Sequence, residues 1–222
     1  LLATCKYLSD QEAYALLYQM QVFMSDEIRA GLTCIRLFLK SLPNSVAAND
    51  VEQRVAQLES AKKHFLAGMM QQQKNSSAAM KSKQVIQEEE ITKNLNTIKL
   101  QTQVLRALPP QMVGTMPSLF EAPKRKCELA EQLLLLNTKH FDLVFSIINE
   151  FRLPIVKIYI RVLVQMVKKK MSNAITEMLR LMKGVILGDE DWDNIVTAVI
   201  TSYVNDMNDI ATAEKLITKL VD

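Results

Sequence analysis

The chain has 222 residues, with 27 lysines and arginines against 24 aspartates and glutamates and a formal net charge of +3. At 49% hydrophobic and 23% charged residues the composition is that of an ordinary globular protein, and the length suffices for one sizeable core or one elongated helical array. So even a charge balance argues against nucleic acid as the main partner, and five glycines are too few for a turn-rich all-β fold or a glycine-rich phosphate loop.

The chain opens on Leu1-Leu2-Ala3 without a methionine and ends on a helical pattern, so both ends read as cuts from a longer protein. Ser9 followed by Glu12 fits a capping box that opens the first helix of a hairpin. Leu16, Leu17, Met20 and Met24 recur at three-to-four-residue spacing, as do Ile28, Leu32, Ile35 and Leu39. This predicts two helices over residues 16–38. Between them, Ser25 or Asp26 can accept a backbone N–H at the start of the second helix. Pro43 and Asn44 end that helix, and Asp50 starts a long one with Val51, Val55, Leu58, Ala61, Phe65 and Met69 on one face. The polar, low-complexity stretch 71–83 reads as a mobile linker. A further long helix runs over about residues 84–108, with Ile91, Leu95, Ile98 and Leu105 on one face. Glu88, Glu89 and Glu90 sit near its expected start, where the helix dipole favours negative charge.

Pro109, Pro110, Pro117 and Pro123 exclude regular helix over residues 109–123. That loop nevertheless carries Met112, Met116, Leu119 and Phe120, which predicts that it is pinned onto the helices. From Lys124 onward the pattern is of short helices. One face holds Phe141, Val144, Phe145, Ile148 and Phe151. Pro154 opens Ile155, Ile158, Val162 and Met166. Ser172 opens Ile175, Met178, Leu179 and Met182, closed by Gly184 and Gly188. Asp189 to Asp193 cap a helix burying Trp192, Ile195, Val196, Val199 and Tyr203, and Asp209 opens a last one with Ile210, Ala213, Leu216, Ile217 and Leu220. The expected fold is all-α: antiparallel helical hairpins forming an α-solenoid-like helical-repeat array. It divides into a long-helix hairpin region over 1–108, a packed proline-rich loop over 109–123, and a short-helix array over 124–222 that lacks its final helices.

No residue pattern supplies catalytic chemistry. His64 and His140 have no Cys, Asp or His at zinc-ligand spacing, and both read as structural or exposed. Cys34 has no base in register and reads as a buried thiol. With Cys5 and Cys127 it makes an odd, isolated set that points to a reducing compartment without disulfides. Asp189-Glu190-Asp191 with Asp193 lacks the spacing of a calcium loop and reads as a helix N-terminal cap. The basic triplets 124–126 and 168–170 fall at helix boundaries; a lipid patch is the alternative reading. No apolar run approaches the roughly 20 residues that span a membrane. No enzyme, cofactor or metal is therefore expected, and the chain reads as a protein-interaction scaffold.

The hairpin carries a more particular signal. Leu17-Tyr18-Gln19, Gln21, Met24, Asp26, Arg29-Ala30 and Thr33-Cys34-Ile35-Arg36 with Phe38 resemble the region that follows the FYVE domain in the spastizin family. The helix from Leu95-Asn96-Thr97 to Gln101 with Val104 and Arg106, and the loop Met116-Pro117-Ser118-Leu119-Phe120, match in the same order. The resemblance covers roughly residues 10–170. It implies a scaffold that pairs with spatacsin and associates with adaptor protein complex five. The setting it implies is late endosomes and lysosomes, in trafficking and autophagic lysosome reformation, and also cytokinesis at the midbody. Membrane contact would be indirect, through a FYVE domain outside this chain. The residues expected at a partner surface are Asp26, Arg29 and Arg36, since a core-facing role would not require charge there. The competing reading has Arg29 and Arg36 cross-linking helices through carboxylates. A helical subunit of another trafficking or tethering complex, and a lipid-surface helical module, are the alternative functions.

Overall fold

A computed structural model describes residues 1–41, 49–74, 81–185, 188–206 and 211. The described residues form ten α-helices and no strand. The chain folds as two compact units, Leu1–Phe120 and Glu121–Asp222. The predicted stop at Pro43 and Asn44 and the helix predicted from Asp209 lie outside the described residues.

The first unit holds α1 (Leu2–Asp10), α2 (Tyr14–Phe23), α3 (Glu27–Ser41), α4 (Asn49–Lys74) and α5 (Lys81–Ala107), each packed on the next. The helix α1 was not foreseen, and it removes the expected capping box. Ser9 lies inside α1, and α2 opens at Tyr14 without a side-chain cap. The helices α4 and α5 also run into the stretch expected as a linker, through Lys74 and from Lys81. Gln, Lys and Ser lose little by entering a helix, so polarity alone does not end one. The earlier start of α5 places Glu88–Glu90 two turns inside it, away from the N-terminal dipole.

The α3–α4 contact is built on two glycines. Gly31 of α3 lies under the Phe65 ring of α4, and a Cβ there would sit 3.1 Å from Cδ1. Gly68 of α4 faces Ile28 of α3, where a Cβ would sit 2.7 Å from Cγ1. Each helix thus offers a gap that receives a side chain of the other, and the two backbones approach closely. Phe38, Leu58, Ala61 and Phe65 are fully buried here. Arg54, also buried, donates to the Ser41 carbonyl at 3.0 Å, placing a cation at the C-terminal end of α3.

The proline-rich loop is pinned as expected. After a 3-10 turn at Pro110–Met112, Val113, Met116, Ser118 and Leu119 are buried. The Gln101 Oε1 of α5 accepts from the Leu119 amide at 2.7 Å and from the Ser118 hydroxyl at 3.1 Å.

The second unit holds α6 (Pro123–Leu136), α7 (Phe141–Phe151), α8 (Ile155–Lys168), α9 (Ser172–Met182) and α10 (Asp189–Thr201), then a π-helical turn, Ser202–Asp206. Pro123, Ile155 and Asp189 open α6, α8 and α10, so helix starts recur after 32 and then 34 residues. The helix α6 packs on α7, α8 packs on α9, and α8 also packs on both α6 and α10. That is the arrangement of stacked helix pairs, in which the first helix of each pair touches its own partner and the first helices of the adjacent pairs. It explains why α8 is buried on more than one side, through Ile158, Tyr159, Val162, Leu163, Met166 and Val167. Tyr159 stacks on Phe141 at 5.8 Å, and its buried hydroxyl has no hydrogen-bond partner among the described residues; burial pushes the phenol pKa upward. Tyr159→Phe removes an unsatisfied polar atom while keeping the ring. It is expected to raise stability by about 1 kcal/mol, measured by urea unfolding followed through the fluorescence of Trp192 in the same unit.

Four corners share one closure. Glu12, Ser25, Arg152 and Lys170 have φ of 52°, 55°, 50° and 57°. In each case the following amide reaches back to the carbonyl five residues earlier: Ala13 to Leu8, Asp26 to Gln21, Leu153 to Ile148 and Met171 to Met166, all at 2.9 Å. The amide of each left-handed residue also reaches the carbonyl three residues earlier, and this double closure satisfies the last carbonyls of the helix and turns the chain sharply.

Candidate interaction site

Asp26 begins the site. Its Oδ1 accepts the Arg29 amide at 3.3 Å, capping α3, and its Oδ2 pairs with the Arg29 Nη1 at 3.1 Å. Asp26, and not Ser25, is therefore the cap, because Ser25 occupies the left-handed corner position. Arg29 keeps 58% of its side chain exposed. Arg36, two turns further along α3, donates from Nη1 to the Ser9 hydroxyl of α1 at 3.1 Å and lies 5.9 Å from the centre of the Tyr14 ring. Among the described residues neither arginine joins two helices through a carboxylate.

Arg29 and Arg36 flank a cleft of about 390 Å³ between α1, α2 and α3. Lys6 of α1 provides a third cation, and Lys6 has no ion-pair partner among the described residues. Gln21 and Thr33 form the polar part of the floor. They are 5% and 1% exposed, and the Thr33 hydroxyl donates to the Gln21 Oε1 at 2.6 Å. That bond occupies the amide oxygen and leaves the Gln21 Nε2 without an acceptor among the described residues. Leu17 and Leu32 supply apolar wall. Sequence reading missed Lys6, Gln21 and Thr33. Lys6 sits on the unforeseen α1, whereas Gln21 and Thr33 were visible as polar residues at otherwise apolar helical positions.

His64 ties three helices of this unit together. The Tyr18 hydroxyl of α2 lies 3.0 Å from the His64 Nε2, and the His64 Nδ1 lies 2.6 Å from the Glu27 Oε2 of α3. The chain of groups has the order of a catalytic triad, but burial, then Cys34 and Glu27, raise the Tyr18 pKa. A phenol made less acidic is a poor nucleophile. Cys34 is buried and its thiol is pushed up to about 11 by desolvation, which keeps it protonated and unreactive.

The other sequence candidates are used locally. Arg125 binds Glu121 at 3.0 Å and Glu128 at 2.6 Å, and Lys126 lies 3.9 Å from the centre of the Phe151 ring. The first basic triplet thus spends two of its three charges on neighbours. Asp189, Glu190 and Asp191 form the first turn of α10, where they complement the dipole. Among the described residues no group of three His, Cys, Asp or Glu is placed to hold a metal ion, and no helix is long and apolar enough to cross a membrane.

Residues 154–222, from the start of α8, match a protein family described as ZFYVE26-like, TPR repeats. A Dictyostelium discoideum protein is 32% identical over 99% of the chain. Zinc finger FYVE domain-containing protein 26 is 26% identical in Homo sapiens and 27% in Rattus norvegicus, each over 91% of the chain. The chain spans 8% of the length of these relatives. No solved structure matches it. The chain is thus a helical region like that of zinc finger FYVE domain-containing protein 26, or spastizin.

Proposed function

We propose that this chain is a non-catalytic docking scaffold within a spastizin-like protein. Its partner is a spatacsin-like protein, and it acts together with adaptor protein complex five. The observation that carries the reading is the cleft of the first unit. Three cations on two helices face solvent there instead of linking helices through carboxylates, and Arg36 is held in place by Ser9 and Tyr14. Stacked helix pairs in the second unit suit the same role, because such arrays bury one set of faces and leave others for protein contact. In this reading the chain works at late endosomes and lysosomes, in protein transport and autophagic lysosome reformation, with cytokinesis as a second setting. Membrane contact is indirect, through a FYVE domain elsewhere in such a protein.

The test is co-purification of the 222-residue chain with the C-terminal half of a spatacsin-like protein at physiological salt. A stoichiometric complex is expected. Arg29→Glu combined with Arg36→Glu is expected to weaken it by at least about tenfold, since reversing rim charges turns attraction into repulsion. Helix content, measured by circular dichroism, should be unchanged. Failure to form any complex with a folded chain overturns the docking role. A lowered melting temperature with binding intact would instead assign the two arginines to stability.

A further inference from the structure

We propose that the cleft between α1, α2 and α3 is a receptor for the carboxylate of an acidic side chain, presented by a peptide segment with apolar residues beside it. This rests on the docking reading above and specifies what is docked. Gln21 forms part of the cleft lining. A glutamine 5% exposed is costly to bury unless its polar atoms are satisfied. Its oxygen takes the Thr33 hydroxyl at 2.6 Å, so the N–H₂ group is the part of the amide left to bond elsewhere, and Gln21 lines the cleft. The amide nitrogen is open to solvent in the cleft and not among the buried orphaned atoms, so an acceptor from outside can replace water there.

The surroundings define which acceptor. Lys6, Arg29 and Arg36 bring three positive charges to the same opening, so the ligand is an anion. Asp26 sits against Arg29 at 3.1 Å and offsets one of those charges. Two net positive charges remain to hold an incoming carboxylate. Charge-assisted bonds from guanidinium and ammonium groups to a carboxylate are short and strong. Leu2, Leu17 and Leu32 line the remainder of the cleft, and they give apolar neighbours of the acidic residue a surface to bury. A lipid headgroup leaves the leucines without an apolar partner; a peptide with apolar neighbours uses the cations, the Gln21 amide and the leucines together.

The experiment is a ¹⁵N chemical-shift titration of the 222-residue chain. The probe is an end-capped peptide of alternating leucine and glutamate, and the control is the same peptide with glutamine for glutamate. Shifts are expected at the Gln21 side-chain amide, the Thr33 amide and the α1 amides near Lys6. Affinity for the control peptide should be at least about tenfold weaker. Lys6→Gln alters an exposed residue and should weaken binding about threefold to fivefold without changing the melting temperature. Absence of these shifts, or equal binding of the control peptide, overturns the inference. So do shifts produced by phosphoinositide vesicles but not by the peptide. If the chain co-purifies with its partner while Gln21 ignores the acidic peptide, this inference fails and the docking role stands. If the peptide binds the cleft and no complex forms, the docking role with that partner fails instead.

Discussion

Phe65→Ala is expected to lower the unfolding free energy of the first unit by about 3–5 kcal/mol, the upper range for truncating a buried aromatic. The reason is the site into which Phe65 projects. Its ring is fully buried and rests on Gly31 of α3, where a Cβ would already be only 3.1–3.2 Å from three ring atoms. With the ring removed, a glycine has no side chain to move into the space. The gap then persists as a cavity, and cavity volume adds to the lost transfer energy. The companion variant Gly31→Ala shows the reverse. On the native background it crowds the ring and costs stability; combined with Phe65→Ala it should restore part of the loss by filling the gap and improving helix propensity. Urea denaturation of the four proteins of this cycle, followed by circular dichroism, measures the coupling. Additive losses would mean that Gly31 and Phe65 do not meet.

Gln101→Leu is expected to cost about 2–4 kcal/mol, although it replaces a polar side chain by an apolar one of similar size in a buried place. The Gln101 Oε1 is the acceptor for the Leu119 amide at 2.7 Å and for the Ser118 hydroxyl at 3.1 Å. Leu119 is fully buried, so its amide cannot turn to water when the acceptor is lost. An orphaned buried donor costs about 1–3 kcal/mol, and the loop that the bond anchors has little regular structure to hold it otherwise. Amide hydrogen exchange at Leu119 should accelerate by at least about thirtyfold, the rate equivalent of roughly 2 kcal/mol. Unchanged protection at Leu119 with Gln101 replaced would show that the loop is held by its apolar side chains alone.

The sequence revealed the helices of the second unit well and those of the first unit less well. Pro154, Ser172 and the acidic run from Asp189 are strong local openers, and α8, α9 and α10 begin at or beside them. Pinning of the proline-rich loop was also legible, because Leu119 and Phe120 are too apolar to leave in water. By contrast, α1 begins at the chain's first residues, buries none of its side chains completely, and so carries no clear apolar stripe. Leu16, expected on the buried face of α2, is 58% exposed; the face turns on Leu17 and Gln21 instead. A glutamine at a core position is a signal only once its partner Thr33 is known to lie opposite. The likeness to the spastizin family was readable from three ordered islands. The recurrence of helix starts was not, since the N-caps of α6, α8 and α10 are three different residues, Ala122, Pro154 and Gly188. The candidate site was legible only as charge: Arg29 and Arg36 could be named, but the cleft they share depends on α1.

The four left-handed corners at Glu12, Ser25, Arg152 and Lys170 bear on how the chain reaches this structure. The helices joined at Glu12, Ser25 and Lys170 pack on each other, α1 on α2, α2 on α3 and α8 on α9, at small separation along the chain. Closing such short loops costs little entropy, and proteins dominated by contacts of this kind fold quickly because no distant segments need find each other first. Assembly can therefore start at any one hairpin and spread to its neighbours. A fault at one corner then slows the pairing of two helices and leaves the remaining pairs free to form.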